Sequence, residues 1–301
     1  MANLKQIRAK IKSVSNIQQI TKALEIVATV KLQKVKQQAE HYREFMIEFM
    51  KIAQVIWNKS VLFWRDEESK KWLKKELIIV MWTNRWLCWS LNSKLFKSIF
   101  TKYDSKKDKV DVFCIGKKSL EYFSRSDFNV VWQVDSKDDF SQDDLQSLFV
   151  YIRNAIDKKV YKDIKIYFNY FKNAIQQVPL NLSLYPLDKK SFESFSSELG
   201  LDMNDLMSND LTYKDMLLEP SGKALLQELK EQLLQHMVYW AMLQNKTWEF
   251  AARMVAMKNA KDNSTSLIKN LKLSFNKVRQ SSITQEISEI MGAKMSMDTT
   301  D

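Results

Sequence analysis

Glycine and proline are nearly missing from this chain. It has 301 residues but only four Gly and three Pro, where average usage would give roughly 7% Gly. Few tight turns and few helix breaks are therefore available, which suits long helices and disfavours a turn-rich all-β fold. The four glycines stand at 116, 200, 222 and 292. No phosphate-cradling G-x-x-x-x-G-K-[ST] or G-x-G-x-x-G can be written from them. There are two cysteines, Cys88 and Cys114, which make neither a disulfide framework nor a zinc or redox spacing. A reducing cytosol is the compartment this predicts. No apolar run reaches membrane-spanning length, and MANLKQIR leads into an amphipathic pattern rather than a signal-peptide core.

The candidate chemistry is equally thin. The two histidines, His41 and His236, fall on helical patterns with no evident acidic or cysteine partner. They read as helix-surface or interhelical residues. Ser119 and Ser221 lack a nucleophile elbow. Asp138-Asp139 with Asp143-Asp144 reads as an acidic lead into a helix rather than as a metal site. No catalytic residue, metal ligand or cofactor site is expected.

The chain is 45% hydrophobic and 28% charged, so it is globular. Its net charge is +11, with the Lys scattered rather than gathered into a nucleic-acid patch. The two ends carry the strongest patterns. From about Asn3 to about Asn58 a helix is predicted, roughly 80 Å long at 1.5 Å per residue. Its apolar stripe begins Leu4, Ile7, Ile11, Val14 and is expected to continue Ile17, Ile20, Leu24, Val27, with one slip of register. From Glu219-Pro220-Ser221 to about Met291 a second helix of roughly 105 Å is predicted. Neither can bury its stripe alone, so the ends should pair.

Between them the period changes. Short apolar runs at 76–81, 110–115, 128–134, 163–171 and 181–185 read as strands. Helices at about 91–103, 117–124 and 143–158 alternate with them. That alternation predicts an α/β layer with a largely parallel sheet. The segment 192–215 reads as a loop with short helices. The expected division is a helix over 1–59, a connector 60–75, an α/β domain 76–190, a connector 191–218, a helix 219–293 and a tail 294–301.

Two stretches carry a family resemblance, IKSVSNIQQITKALEIV over 11–27 and AARMVAMKNA over 251–260, the latter followed by Asp262-Asn263. Both resemble the terminal segments of the gamma subunit of bacterial F-type ATP synthase. A third patch, Thr83-Asn84-Arg85 with Leu87-Cys88 and Leu91-Asn92, falls where that family has a glycine-rich turn. The resemblance covers nearly the whole chain, and is weak over 33–76. It implies a mixed α+β fold, with an antiparallel coiled coil of the terminal helices around an inserted Rossmann-like α/β domain. It also implies a non-catalytic central-stalk rotor that couples proton flow through a membrane ring to ATP synthesis or hydrolysis. The partners implied are the alpha, beta and epsilon subunits and the c-ring, with neither nucleic acid nor direct membrane insertion. The place implied is peripheral, on the cytoplasmic face of the plasma membrane.

By position, the resemblance assigns beta-subunit contacts to Arg279, Gln280 and Thr284, and coupling roles to Arg253 and Glu286. Lys22 matches a basic residue of the family, and Leu24 stands where bacterial relatives often have Met. The basic helices would meet an acidic beta segment. Cys88 and Cys114 do not match the cysteine pair of the chloroplast type. A free-standing basic coiled-coil scaffold or nucleic-acid-associated protein would also account for the charge and the helices, but not for the terminal signatures.

Nine Trp stand beside the four Gly. Where relatives read R-G-L-C-G-G-L-N, this chain reads Arg85-Trp86-Leu87-Cys88-Trp89-Ser90-Leu91-Asn92. Either Trp has genuinely accumulated here, or UGA codons that the host reads as Gly stand in this sequence as Trp. Trp82, Trp132 and Trp248 then share the suspicion, and Gly at some of these would restore ordinary turns.

Overall fold

The computed structural model describes residues 2–57, 75–83, 89–138, 141–173, 177–187, 189–201, 219 and 222–298. The helices are α1 (Ala2–Trp57), α2 (Trp89–Tyr103), α3 (Lys117–Phe123), α4 (Gln146–Asp157), α5 (Lys189–Glu198) and α6 (Gly222–Asp298). The strands are β1 (Glu76–Met81), β2 (Val110–Ile115), β3 (Asn129–Val134), β4 (Asp163–Phe171) and β5 (Gln177–Tyr185). The chain forms two compact units, one of residues 1–30 with 253–301, the other of residues 31–252.

The second unit is built on one sheet of order β3-β2-β1-β4-β5. The first four strands of that order are mutually parallel, and β5 runs antiparallel to β4 at the edge. The central strand β1 is buried at every position but the first, which explains its unbroken apolar run. Alternate side chains serve opposite faces. Leu77, Ile79 and Met81 join a core with Met46 and Met50 of α1, Leu148 and Ile152 of α4, Phe195 of α5 and Met237 of α6. Ile78 and Val80 face Leu95, Phe96 and Ile99 of α2 and Phe123 of α3. Each such side chain contributes about 1.5–3 kcal/mol on burial.

Several element bounds differ from the sequence reading. Strand β5 begins at Gln177 rather than 181, because Pro179 is tolerated on an edge strand that need not donate on both sides. Strand β3 begins one residue later than expected, at Asn129. The Ser-rich stretch read as a loop with short helices begins inside one, α5, which starts at Lys189 and whose Phe192 and Phe195, with Leu199 just after it, are buried. Helix α6 starts at Gly222 and runs to Asp298, past the expected tail boundary. Most of the expected connectors and the turn at 84–88 lie outside the described residues.

Polar residues in the unit have definite work. Asp111, buried in β2, accepts hydrogen bonds from Lys75 Nζ (3.1 Å), Asn129 Nδ2 (2.8 Å) and the Tyr161 hydroxyl (3.0 Å). Asp144 closes a capping box with Ser141 ahead of α4, so the acidic run does lead into a helix. Asp138 instead pairs with Lys31 at 2.9 Å, while Asp139 is outside the described residues. Ser119 is buried and donates to the Gly116 carbonyl at 2.6 Å. Burial pushes the Cys114 thiol up to about 12, against a smaller opposing hydrogen bond from Ser119. Ser221 and Cys88 lie outside the described residues.

The histidines separate. His41 does have an acidic neighbour, Glu44 at 3.8 Å, with both side chains exposed. His236 is interhelical: its Nδ1 lies 2.6 Å from the Tyr42 hydroxyl, with the rings of Phe45 and Phe49 edge-on at 5.0 Å. Burial pushes the His236 pKa down from its ordinary value of 6.5. The unfolded chain therefore binds the proton more readily, and stability should fall as pH drops below about 6.5. Chemical denaturation at pH 7.5 and 5.5 measures this. His236→Phe should shrink the difference between the two, and an unchanged difference would show that other groups carry it.

The tryptophans are placed unevenly. Trp82 follows β1, its backbone N–H donating to the Ile115 carbonyl at 2.9 Å. Trp132 is 54% exposed on β3, and Trp248 is buried inside α6. The non-glycine residues at positive φ are Asp127 and Lys159 among the described residues, so none of these three Trp sits at a turn that requires glycine. Two features still mark Trp as ill-suited. The Trp82 and Phe96 ring centroids are 3.6 Å apart, inside the roughly 4.5–7 Å of ordinary aromatic pairs. The indole N–H groups of Trp240 and Trp248 are buried without a partner, each costing about 1–3 kcal/mol. If glycine is the residue made, the gene carries UGA at 86 and 89 and peptide masses there fit glycine. UGG codons, or native peptides bearing Trp, would end that reading.

Candidate functional site, a two-helix coil with an exposed end

The first unit contains all seven residues singled out by position: Lys22, Leu24, Arg253, Arg279, Gln280, Thr284 and Glu286. It is made of the start of α1 and the end of α6. One series of shielded positions on α1 is Leu4, Ile7, Ile11, Val14, Gln18, Thr21, Glu25 and Ala28, with Ser15 and Leu24 half-buried beside it. The matching series on α6 is Met257, Lys261, Ser264, Ile268, Leu271, Phe275, Val278 and Ser282, with Ala260 half-buried beside it. Both series alternate three and four without interruption, which is the seam of a coiled coil.

The expected register slip does not occur. Ile17, Ile20 and Val27 are 49%, 59% and 53% exposed, and the seam passes through polar residues instead. The reason lies across the seam. Gln18 Nε2 donates to Thr265 Oγ1 at 2.7 Å, and Lys261 Nζ meets Glu25 Oε2 at 2.7 Å. The Arg8 guanidinium lies 6.0 Å over the Phe275 ring. Partner numbers fall on α6 as they rise on α1, so the helices are antiparallel. Polar seam residues of this kind fix register at some cost in stability. The sequence signal was the unbroken alternation 14, 18, 21, 25, 28, which apolar residues next to it obscured.

Beyond Ser282 the seam ends. Every described α6 residue from 283 to 294 is exposed, including Ile283 (48%), Ile287 (53%), Ile290 (69%) and Met291 (64%). Thr284 and Glu286 lie in these last turns, Arg279 and Gln280 in the turn before them, and all four are exposed. The Thr284 hydroxyl donates to the Gln280 backbone carbonyl at 3.0 Å. Arg279 and Glu286 are seven apart and share a face with Ile283 and Ile290.

The seven residues do not converge. Lys22, exposed, and Leu24, half-buried, lie on α1 roughly 25 Å along the axis from Arg279, at 1.5 Å per residue. Arg253 differs from the rest: it is 5% exposed. The arrangement can present separate polar points along a rod, but cannot assemble a reaction centre. No group of three or more His, Cys, Asp or Glu able to hold a metal occurs among the described residues.

Known proteins match this arrangement. A family model described as ATP synthase matches residues 3–297. The ATP synthase gamma chain of Legionella pneumophila (strain Corby) is 32% identical over 296 residues, covering 97% of this chain and 98% of the relative. That of Bdellovibrio bacteriovorus is 32% identical over 295 residues, covering 97% of each. Among solved structures, a chain of the Euglena gracilis mitochondrial ATP synthase (OSCP/F1/c-ring, rotational state 3) aligns with a TM-score of 0.66 at 19% identity, covering 98% of this chain and 95% of that one. A chain from the Tetrahymena thermophila mitochondrial ATP synthase central stalk and c-ring aligns at 0.57 and 20% identity, covering 80% and 99%. These likenesses extend over both units.

The Glu25 hydrogen bond holds the Lys261 pKa above its ordinary value. Its contribution is therefore present at neutral pH and lost as pH rises through the lysine range. In a double-mutant cycle of Glu25→Gln and Lys261→Met, followed by urea unfolding, a favourable coupling is expected at low salt and little near 1 M salt. Equal coupling at both would mean that charge is not what joins the pair.

Proposed function

Since the chain belongs to the ATP synthase gamma-chain family, we propose that it is the central-stalk rotor subunit. In this reading it couples proton flow through a membrane ring to ATP synthesis or hydrolysis in the head. The observation that carries the proposal is a match over nearly the whole length, joined to a two-helix coil whose longer helix ends bare. In this reading the subunit performs no chemistry itself, and the seven residues named by position are spaced along a coil rather than gathered at one point. It works by transmitting torque. Two helices paired along an apolar and polar seam resist twisting better than one, and near-absence of Gly and Pro removes weak points.

The bare end of α6 enters the head of alpha and beta subunits. Its apolar residues there supply a surface without fixed hydrogen bonds, suited to turning. Arg279, Gln280 and Thr284 supply polar contacts to beta-subunit loops, and Glu286 adds a charge. Lys22 and Leu24 meet the beta subunit at a lower level. Arg253, matched to a charged coupling position, is the one of the seven that is buried within this chain. The segments 1–59 and 219–293 form the shaft, and the domain 76–190 stands beside the epsilon subunit and the c-ring. No described helix is long and apolar enough to cross a membrane, in keeping with peripheral attachment at the cytoplasmic face of the bacterial membrane.

Replacing Arg279 and Gln280 together with Ala should weaken assembly with alpha and beta subunits, or lower coupled ATPase turnover several-fold. The α/β unit should unfold at an unchanged denaturant concentration. Full assembly with full coupled turnover in the double variant would refute the assignment. Failure of the wild-type chain to co-purify with alpha and beta subunits would refute the rotor reading itself.

A further inference from the structure

We propose that Asn245 of α6 is a positioning residue for rotation. It locks α6 at one angle on the sheet of the second unit, at the crevice between β1 and β4. Asn245 and the sheet belong to the same compact unit. The lock stands on the geometry of that unit, and its use in coupling rests on the rotor reading.

A doubly wound sheet has one place where the strand order turns back, and a crevice opens there at the carboxyl ends of the strands. In the order β3-β2-β1-β4-β5 that place is between β1 and β4. Residues of α2 and α3 cover one face of the sheet and those of α4 the other. The last paired residues of β1 and β4 are Val80 and Tyr167. Beyond them β1 stays with β2, because the Trp82 backbone N–H donates to the Ile115 carbonyl at 2.9 Å. Asn169 of β4 lies past the last pair, opposite Pro179 of β5, which has no N–H. The Asn169 backbone N–H donates to Asn245 Oδ1 at 3.3 Å. Both residues are 0% exposed, where an unanswered N–H is costly. Helix α6 thus fills with its own side chain the place where such sheets hold a ligand.

The stretch of α6 around this bond has no stripe to orient it. A surface helix is turned toward its core by one apolar face. From Trp240 to Ala252 every α6 residue is buried, so no face is marked in that way. Its apolar contacts, Trp240, Ala241 and Met242 among them, are non-directional, whereas a hydrogen bond has a preferred geometry. Asn245 also carries a cost, since its Nδ2 is buried without a partner among the described residues. Leu would fill similar space without that cost. A buried Asn kept at such a cost fixes register in coiled coils, and here it fixes the roll of a helix. Asn245 stands roughly 12 Å along the axis before Arg253, the first α6 residue of the other unit. The helix is continuous from Gly222 to Asp298, so an angle set at Asn245 is handed on along it.

Vesicles carrying the whole ATP synthase test this, with ATP hydrolysis and ATP-driven proton pumping measured side by side. Asn245→Leu should leave hydrolysis within about twofold of wild type and lower pumping at least threefold. Asn245→Asp should pump within about twofold of wild type, because a buried carboxyl stays neutral and still offers its oxygen. In the full chain made with isotope-labelled asparagine, the Asn169 amide should exchange at least tenfold faster in Asn245→Leu, while that of Asn181 in β5 should not change. Pumping that survives Asn245→Leu overturns the proposal. So does a loss of hydrolysis and pumping in equal proportion, which would mean damage to the fold. Failure of Asn245→Asp to pump overturns it too, since shape and not the bond would then decide. An unchanged Asn169 amide removes the bond itself. Absence of pumping with the wild-type chain would sink the rotor reading instead, and the amide exchange would still decide the lock.

Discussion

The structure depends on one constraint: a helix with a single apolar stripe cannot stay in water alone. Helices α1 and α6 meet that constraint differently in the two units. In the first, their shielded positions face each other in an antiparallel seam. In the second, their apolar residues Met46, Met50, Leu233 and Met237 join the core under the sheet. Proline in the interior of either helix would break a continuous backbone that both units share.

The seam is not uniformly apolar. Gln18, Thr21 and Glu25 on α1 stand opposite Lys261, Ser264 and Thr265 on α6. An all-apolar seam would allow sliding by a heptad, because each Leu or Ile fits any hole of its kind. A hydrogen bond or ion pair fits in one register only. The consequence for a rod that must deliver its end to a fixed place is that stability is exchanged for position. Apolar residues displaced from the seam, Ile17, Ile20 and Val27, are left on the outside, where a partner can use them.

The α/β unit shows the same balance of apolar fill and placed polarity. Its central strand is buried on both faces, and its one buried strand carboxylate, Asp111, is answered by three donors. A buried carboxylate without them would cost several kcal/mol. Lys246 and Glu249 repeat the arrangement inside α6. Where the balance fails, at the Trp240 and Trp248 indoles and the Asn169 side-chain amide, the groups lie against the same stretch of α6 or on it.

Much of this was legible from residue order. The terminal helices, four of the five strands to within one residue, and the alternation that makes a parallel sheet all follow from local period and from the scarcity of Gly and Pro. Those properties are local, so a sequence states them directly. The strand starting before Pro179 and the helix α5 were harder, because an edge position and a packing partner decide them. The seam was decided only by tertiary structure. Near Ile17 the sequence offers two adjacent three-four series, one apolar and one polar, and period alone favours the apolar one. The polar series wins because its partners, Thr265 and Lys261, come from 236 to 247 residues away along the chain. The same distance explains why the charged residues named by position could be listed from the sequence, while their separation along a rod, and the burial of Arg253 alone among them, could not.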